Sequence, residues 1–75
     1  MKQYGVVIFH TTSAVMKVEK LLVKEGYSVK LIPTPRQFSS DCGIALRFNQ
    51  DFFEQVRMKL NEAGIEYAAI NRIEN

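Results

Sequence analysis

The sequence has 75 residues, of which 47% are hydrophobic and 24% are charged. We expect a single domain, residues 1–75, because a chain of this length leaves no room for a separate cofactor domain. Ten basic and eight acidic residues are interspersed along the chain and give a formal net charge of +2, so neither a disordered protein nor a nucleic-acid-binding protein is indicated.

The chain has one cysteine, Cys42. A single cysteine cannot form a disulfide within its own chain, and no Cys/His cluster has the spacing of a metal site. We therefore expect no metal and no cofactor. The first residues do not resemble a cleavable leader, and no apolar run approaches the roughly 20 residues of a membrane span. These features predict a cytoplasmic protein with a reduced thiol and no membrane partner.

The first strand and the first helix are predicted at the start of the chain. Residues 4–9 are largely β-branched or aromatic, as in a buried strand. Three hydroxyl residues, each a candidate N-cap, then precede a helix that ends at Gly26. Lysines occupy one side of this helix, and the apolar positions recur on the other side at spacings of three and four: Ala14, Val15, Val18, Leu21 and Leu22.

The second and third strands are separated by a loop. Tyr27, Val29 and Leu31 alternate with polar residues in a strand that ends at Pro33. The loop continues to Cys42, and alternating apolar residues predict the third strand over residues 43–48.

The second helix and the last strand complete the chain. Asp51 and Glu54 have the spacing of a capping box, and Asn49 is the alternative cap. The last strand is predicted over residues 65–70. The helix between them ends at Gly64 and has a regular apolar face: Phe53, Val56, Leu60 and Ala63.

The element order β-α-β-β-α-β contains two similar halves. A leucine lies four residues before the glycine that ends each helix, at Leu22 and Gly26 and again at Leu60 and Gly64. This duplication predicts an α+β, ferredoxin-like βαββαβ sandwich with a four-stranded antiparallel sheet in the order 4-1-3-2 and two helices on one face. If the other face is apolar, a homodimer is expected; its candidate residues are Val7, Phe9, Ala45 and Ala69.

This topology places most of the chemically active side chains at one end of the sheet. The end of the first strand lies beside the start of the third strand, near the start of the first helix and the long loop. A thiol reacts as its anion, which nearby cations and helix N-termini favour. The residues expected here are Cys42 with Gly43, Arg36, His10, Thr11, Thr12, Ser39 and Ser40.

Each candidate also has a simpler interpretation. Cys42 is either a reactive thiol on a loop or a small buried apolar residue. Arg36 and His10 are candidate cations for a thiolate. Arg36 is equally consistent with a solvated loop cation, and His10 is more often a satisfied residue at the end of a strand. Thr11 and Thr12 are chiefly candidate helix caps. The loop serines, Ser39 and Ser40, are expected to bond the loop backbone.

Three segments resemble one known family. They are Phe9-His10-Thr11-Thr12, Pro33-Thr34-Pro35-Arg36 and Ser39-Ser40-Asp41-Cys42-Gly43. With their spacing, they resemble the small bacterial domain family described as putative selenium/sulfur carrier-like proteins, over roughly residues 4–72. The resemblance implies a carrier that holds sulfur or selenium as a persulfide or perselenide on Cys42 and exchanges it with donor and acceptor proteins.

Two other functions remain open on the sequence. The first is a non-catalytic binding or regulatory module, with a small-anion site near Arg36 and the start of the first helix. The second is a thiol-dependent enzyme with Cys42 as nucleophile and His10 as base. The short chain offers no obvious substrate pocket, so a carrier or binding protein is favoured over an enzyme.

Overall fold

The computed structural model describes residues 3–38 and 43–74. The predictions for Ser39, Ser40 and Cys42 therefore lie outside the described residues. A 3-10 turn over Gln50–Phe52 precedes the second helix, and the main elements follow in this order: β1 (Gln3–Ile8), α1 (Thr12–Lys24), β2 (Val29–Pro33), β3 (Ile44–Asn49), α2 (Phe53–Glu62) and β4 (Ala69–Glu74).

The four strands form one sheet in the order β2-β3-β1-β4, which reads β4-β1-β3-β2 from the other edge. Every pairing is antiparallel, and the central β1 pairs with β3 and β4. The structure confirms the α+β class, the four-stranded antiparallel sheet and the two helices.

The larger apolar core lies between the helices and one face of the sheet. Alternate residues of β1 and β3 meet the buried faces of α1 and α2, as helical and strand periodicities require. Its fully or almost fully buried members are Val7, Phe9, Val15, Val18, Leu22, Leu46, Phe48, Phe53, Val56 and Leu60.

A smaller apolar cluster lies on the other sheet face and contains no helix residue. Val6, Ile8 and Ala45 form its buried centre, and Phe38 from the β2–β3 loop packs against them. Ile32, Ala69 and Ile73 complete its edge. This face is therefore covered, in part, by the chain's own loop.

The second face differs from the sequence expectation in β1. Val7 and Phe9 belong to the helix side, whereas Val6 and Ile8 lie on the other side with Ala45. Because β1 is apolar at successive positions and buried on both faces, alternation could not identify which set faces the helices. The assignment of Ala45 and Ala69 to the second face is confirmed.

Two boundaries in the second half also differ from prediction. Asn49 accepts a hydrogen bond from the Asp51 amide at 2.9 Å and caps the 3-10 turn, so Asp51 is not the cap. The strand β4 starts at Ala69, not at Ile65. The reason is that the Ile65 amide bonds the Leu60 carbonyl at 3.1 Å, which makes residue 65 part of the helix end.

Candidate functional site

One end of the sheet brings together the segments expected to carry the chemistry. In the sheet register, Ile8 near the end of β1 pairs with Ala45 near the start of β3 and with Ala69 at the start of β4. Pro33 at the end of β2 pairs with Ile44. The chain segments that follow β1 and β2 and precede β3 and β4 therefore share this end.

The start of α1 forms one side of this end. Thr11 is the N-cap, and its hydroxyl accepts a hydrogen bond from the Ala14 amide at 3.2 Å. An extended backbone conformation at Thr11 directs the side chain back over the first turn. One of the free amide groups of the helix start is thus already satisfied.

An open groove of about 330 Å³ lies beside this helix start. His10 and Thr11 line it together with Ser13 and Lys17, which are one helical turn apart on α1. Gly64, Ile65 and Glu66, which precede β4, form its other wall. The groove is polar and carries side chains of both charges.

Backbone hydrogen bonds close the base of the β2–β3 loop. The Thr34 amide bonds the Gly43 carbonyl at 3.0 Å, which extends the β2–β3 pairing by one residue pair. A tight turn follows, in which the Phe38 amide bonds the Pro35 carbonyl at 3.0 Å. Arg36 is exposed within this turn, and Phe38 is half-buried against the second sheet face.

The Thr34 hydroxyl is buried and has no hydrogen-bond partner among the described residues. Burial of an unpaired hydroxyl is unfavourable, since the group loses its bonds to water without replacement. Thr34 therefore holds an unused donor and acceptor at the base of the loop.

Gly43 directly precedes β3 and has a left-handed backbone, at a φ of 71°. A side chain at this position would be strained, although a Cβ atom would meet nothing within 4 Å. The glycine thus fixes how the chain turns from residue 42 into the sheet and leaves open space beside it.

The predicted site residues either line the groove, lie outside it in the described structure, or fall outside the described residues. His10 and Thr11 line the groove. Thr12 does not line it and is exposed as the first residue of α1. Gly43 lies at the same end of the sheet, whereas Arg36 lies on the loop turn and does not line the groove. Cys42, Ser39 and Ser40 fall outside the described residues.

The sequence did not indicate that Lys17 and Glu66 lie at the end of the sheet that carries the groove. Lys17 follows Ser13 by four residues, a spacing that places both on one helix face and could have indicated the shared groove. Glu66 could not be placed, because residues 65–68 were assigned to a strand.

A charged pair in which both pKa values are altered lies at the opposite end of α1. Lys59 and Glu25 form a salt bridge at 2.9 Å. The hydrogen bond and charge of Lys59 lower the pKa of Glu25, and Glu25 in turn raises the pKa of Lys59.

Among the described residues there is no group of three or more His, Cys, Asp or Glu side chains that could hold a metal ion.

Comparison with known proteins gives one match. A model of the family described as "Putative Se/S carrier protein-like" matches residues 4–72. No curated protein and no solved structure matches the chain. Over the described residues, no helix has the length and apolar character needed to cross a membrane. Because the match spans nearly the whole sequence, the chain belongs to the Se/S carrier protein-like family.

Proposed function

We propose that this protein carries sulfur or selenium on Cys42 as a persulfide or perselenide, and exchanges it with donor and acceptor proteins. The observation that carries the proposal is that a chain with one cysteine belongs to a family described as carrier-like. A carrier needs one thiol, whereas an intrachain disulfide exchange would need two.

The transfer needs no external oxidant. The Cys42 thiolate attacks the terminal sulfur of a persulfide on the donor. A new S–S bond forms on Cys42 as the donor's S–S bond breaks, and the donor leaves as a thiolate. In delivery, a nucleophile of the acceptor attacks the terminal sulfur and Cys42 leaves as the thiolate. Selenium transfer follows the same steps, with selenium as the terminal atom.

The surroundings of the β2–β3 loop support this role. Gly43 has open space at its Cα, and Arg36 is an exposed cation on the same loop. Cations near a thiol favour its anion. His10, Thr11 and Thr12 are proposed supporting residues at the same end of the sheet, and Ser39 and Ser40 are proposed to organise the loop backbone.

We also propose that the architecture is the ferredoxin-like βαββαβ sandwich and that the protein works in the cytoplasm. The sheet order and the placement of both helices on one face support the first proposal. The carrier thiol must stay reduced between transfers, and the cytoplasm keeps thiols reduced, which supports the second proposal.

The experiment is loading by a cysteine desulfurase supplied with L-cysteine, followed by intact-mass measurement. We expect the protein to gain the mass of one sulfur atom and to lose it on treatment with dithiothreitol. Cys42→Ser is the matched control and should gain none. Absence of added sulfur on the wild type, or equal labelling of the control, would contradict the proposal.

The pH dependence of Cys42 alkylation provides a second measurement. A midpoint well below about 8.5, the value for a free thiol, is expected for a tuned thiolate. Arg36→Gln should move that midpoint upwards if the guanidinium stabilises the anion. An unreactive thiol would favour the binding-module function over the carrier.

A further inference from the structure

We propose that the solvent-facing side of α1 is the surface on which the sulfur-donating protein docks, through an acidic surface that also carries apolar side chains. We call this side the α1 face and define it by Met16, Lys17, Lys20, Val23 and Lys24. The identity of the partner as the donor rests on the carrier function proposed above.

The α1 face combines apolar exposure with regular spacing. Met16 is 42% exposed and Val23 is 58% exposed. They are seven residues apart on one helix, so their side chains lie on one stripe about 10 Å apart along the axis. Lys20 lies between them. The opposite side of α1 is fully buried at Val15, Val18 and Leu22, which leaves the stripe pointing away from the core.

The residues that define this face include three lysines and no acid, although Glu25 interacts electrostatically with Lys24 and Glu66 shares the groove with Lys17. Lys17, Lys20 and Lys24 follow one another at three and four residues and are exposed. In the part of the chain that the structure describes, the salt bridges join Arg57 to Glu54 and Lys59 to Glu25, and none involves these three lysines. An acidic partner would be attracted and oriented by this charge.

The other surfaces are less suited to an acidic partner. The second sheet face is covered in part by Phe38. The outer side of α2 has an exposed apolar residue, Met58, but Glu54 and Glu62 are exposed on the same helix. The basic residues of α2, Arg57 and Lys59, are both in salt bridges, so this side attracts an acidic surface less than the α1 face does.

A protein partner is favoured over a membrane or a nucleic acid. A helix that binds a membrane inserts its apolar side into the lipid, and the apolar side of α1 is committed to the core. Nucleic-acid binding depends chiefly on phosphate contacts made by a broad basic surface. Here two aliphatic side chains share the face with three lysines, a mixture that matches a protein interface with an apolar centre and a charged rim.

The test compares loading of Cys42 from two donors. A cysteine desulfurase must dock before transfer, whereas glutathione persulfide reaches the thiol without docking. With the desulfurase, we expect the double variant Lys20→Gln/Lys24→Gln, which keeps the groove residue Lys17, to load about tenfold more slowly, since rim charges act mainly on the association rate. Added salt should slow the wild type more than this variant. Loading from glutathione persulfide should be unchanged.

Matched controls separate docking from general effects of substitution. Val23→Ser should slow loading from the desulfurase, whereas Met58→Ser, at a residue that is 55% exposed on α2, should not. Lys20→Gln should slow loading from the desulfurase, whereas Lys30→Gln, at an exposed position of β2, should not. Circular dichroism should show the same fold for every variant.

The outcomes distinguish the two proposals. Equal effects of the α1 variants and their controls, in a protein that loads from both donors, would overturn docking and leave the carrier function standing. Failure of Cys42 to load from either donor would overturn both. If the double variant lost binding to anionic vesicles or to a DNA duplex but kept its desulfurase rate, docking of the donor would be overturned in favour of that ligand.

Discussion

The amide of Thr34 donates a hydrogen bond to the carbonyl of Gly43 at 3.0 Å, and this bond closes the base of the β2–β3 loop. The sheet therefore continues one residue pair beyond Pro33 and Ile44. This bond joins the two ends of the segment that contains the proposed carrier cysteine.

Phe38 anchors this loop to the sheet. We expect Phe38→Ala to lower the free energy of unfolding by about 2 kcal/mol, because its half-buried ring packs on the smaller apolar cluster. Loss of the ring also uncovers Val6 and Ile8, so the variant should self-associate more than the wild type. Urea denaturation and sedimentation velocity measure these effects. A variant with wild-type stability and unchanged sedimentation would show that the ring is not an anchor.

The unpaired hydroxyl of Thr34 has a different consequence from the capping hydroxyl of Thr11. Thr34→Val keeps the shape and removes a buried polar group without a partner, so it should leave stability unchanged or raise it by about 1 kcal/mol. Thr11→Val removes the acceptor for the Ala14 amide and should cost about 1 kcal/mol. Thermal and urea unfolding of both variants check the contrast. Destabilisation by Thr34→Val would mean that its hydroxyl is bonded in solution.

Gly5 is required because an aromatic ring covers it. Gly5 pairs with Phe48 across β1 and β3, and an added Cβ would come within 2.8 Å of the ring atom Cε1. Phe48 is 2% exposed, so the ring has little room to move. Gly5→Ala should therefore cost about 2–3 kcal/mol.

A double-variant cycle tests this steric cause. Phe48→Leu shortens the side chain over Gly5, and in that background Gly5→Ala should cost much less than in the wild type. Urea denaturation of the wild type, both single variants and the double variant gives the coupling free energy between positions 5 and 48. Additive costs would indicate that the ring is not what excludes a side chain at position 5.

The Glu25–Lys59 pair should give a pH-dependent contribution to stability. Lys59 lowers the pKa of Glu25 below its ordinary value of 4.5, so folding favours the ionised carboxylate. This contribution is fully present above the unfolded pKa and is lost as pH falls through the folded pKa. The stability difference between wild type and Glu25→Gln should therefore shrink as pH falls below 4.5.

The stability contributed by the Glu25–Lys59 pair is also lost at high pH and depends on salt concentration. Glu25 raises the pKa of Lys59 above its ordinary 10.5, so its contribution is full below that value and is lost as pH rises through the folded pKa. Because the pair is at the surface, added KCl should reduce its effect. Glu19→Gln, which changes another acid on α1, is the control. A difference that does not vary with pH would contradict the ion pair.

The sequence pattern was sufficient to predict the element order and the buried side of each helix. In α1, the spacing of Val15, Val18 and Leu22 identifies a single apolar stripe, and all three are fully buried. In β1, Val6 and Val7 are both apolar and both buried, so periodicity contained no information about which faces the helices. That choice depends on packing against elements distant in sequence.

The candidate site was predictable only where chain topology determines position. Antiparallel pairing of β1 and β3 brings the segments around His10 and Gly43 to the same end of the sheet, and this follows from the element order. The contact of Phe38 with the second sheet face could not be predicted, since a loop has no periodicity and its path depends on tertiary packing. The place of Glu66 in the groove depended on the start of β4, and strand ends are weakly encoded.

The two apolar clusters have a thermodynamic consequence for such a small protein. The helices and one sheet face share the larger cluster, whereas the loop is attached to the smaller one through Phe38. Detachment of the loop therefore exposes only the smaller cluster and leaves the helix packing intact. Local opening of this kind requires less free energy than global unfolding. Phe38 can thus detach from the smaller cluster while α1 keeps the conformation in which it presents Met16 and Val23.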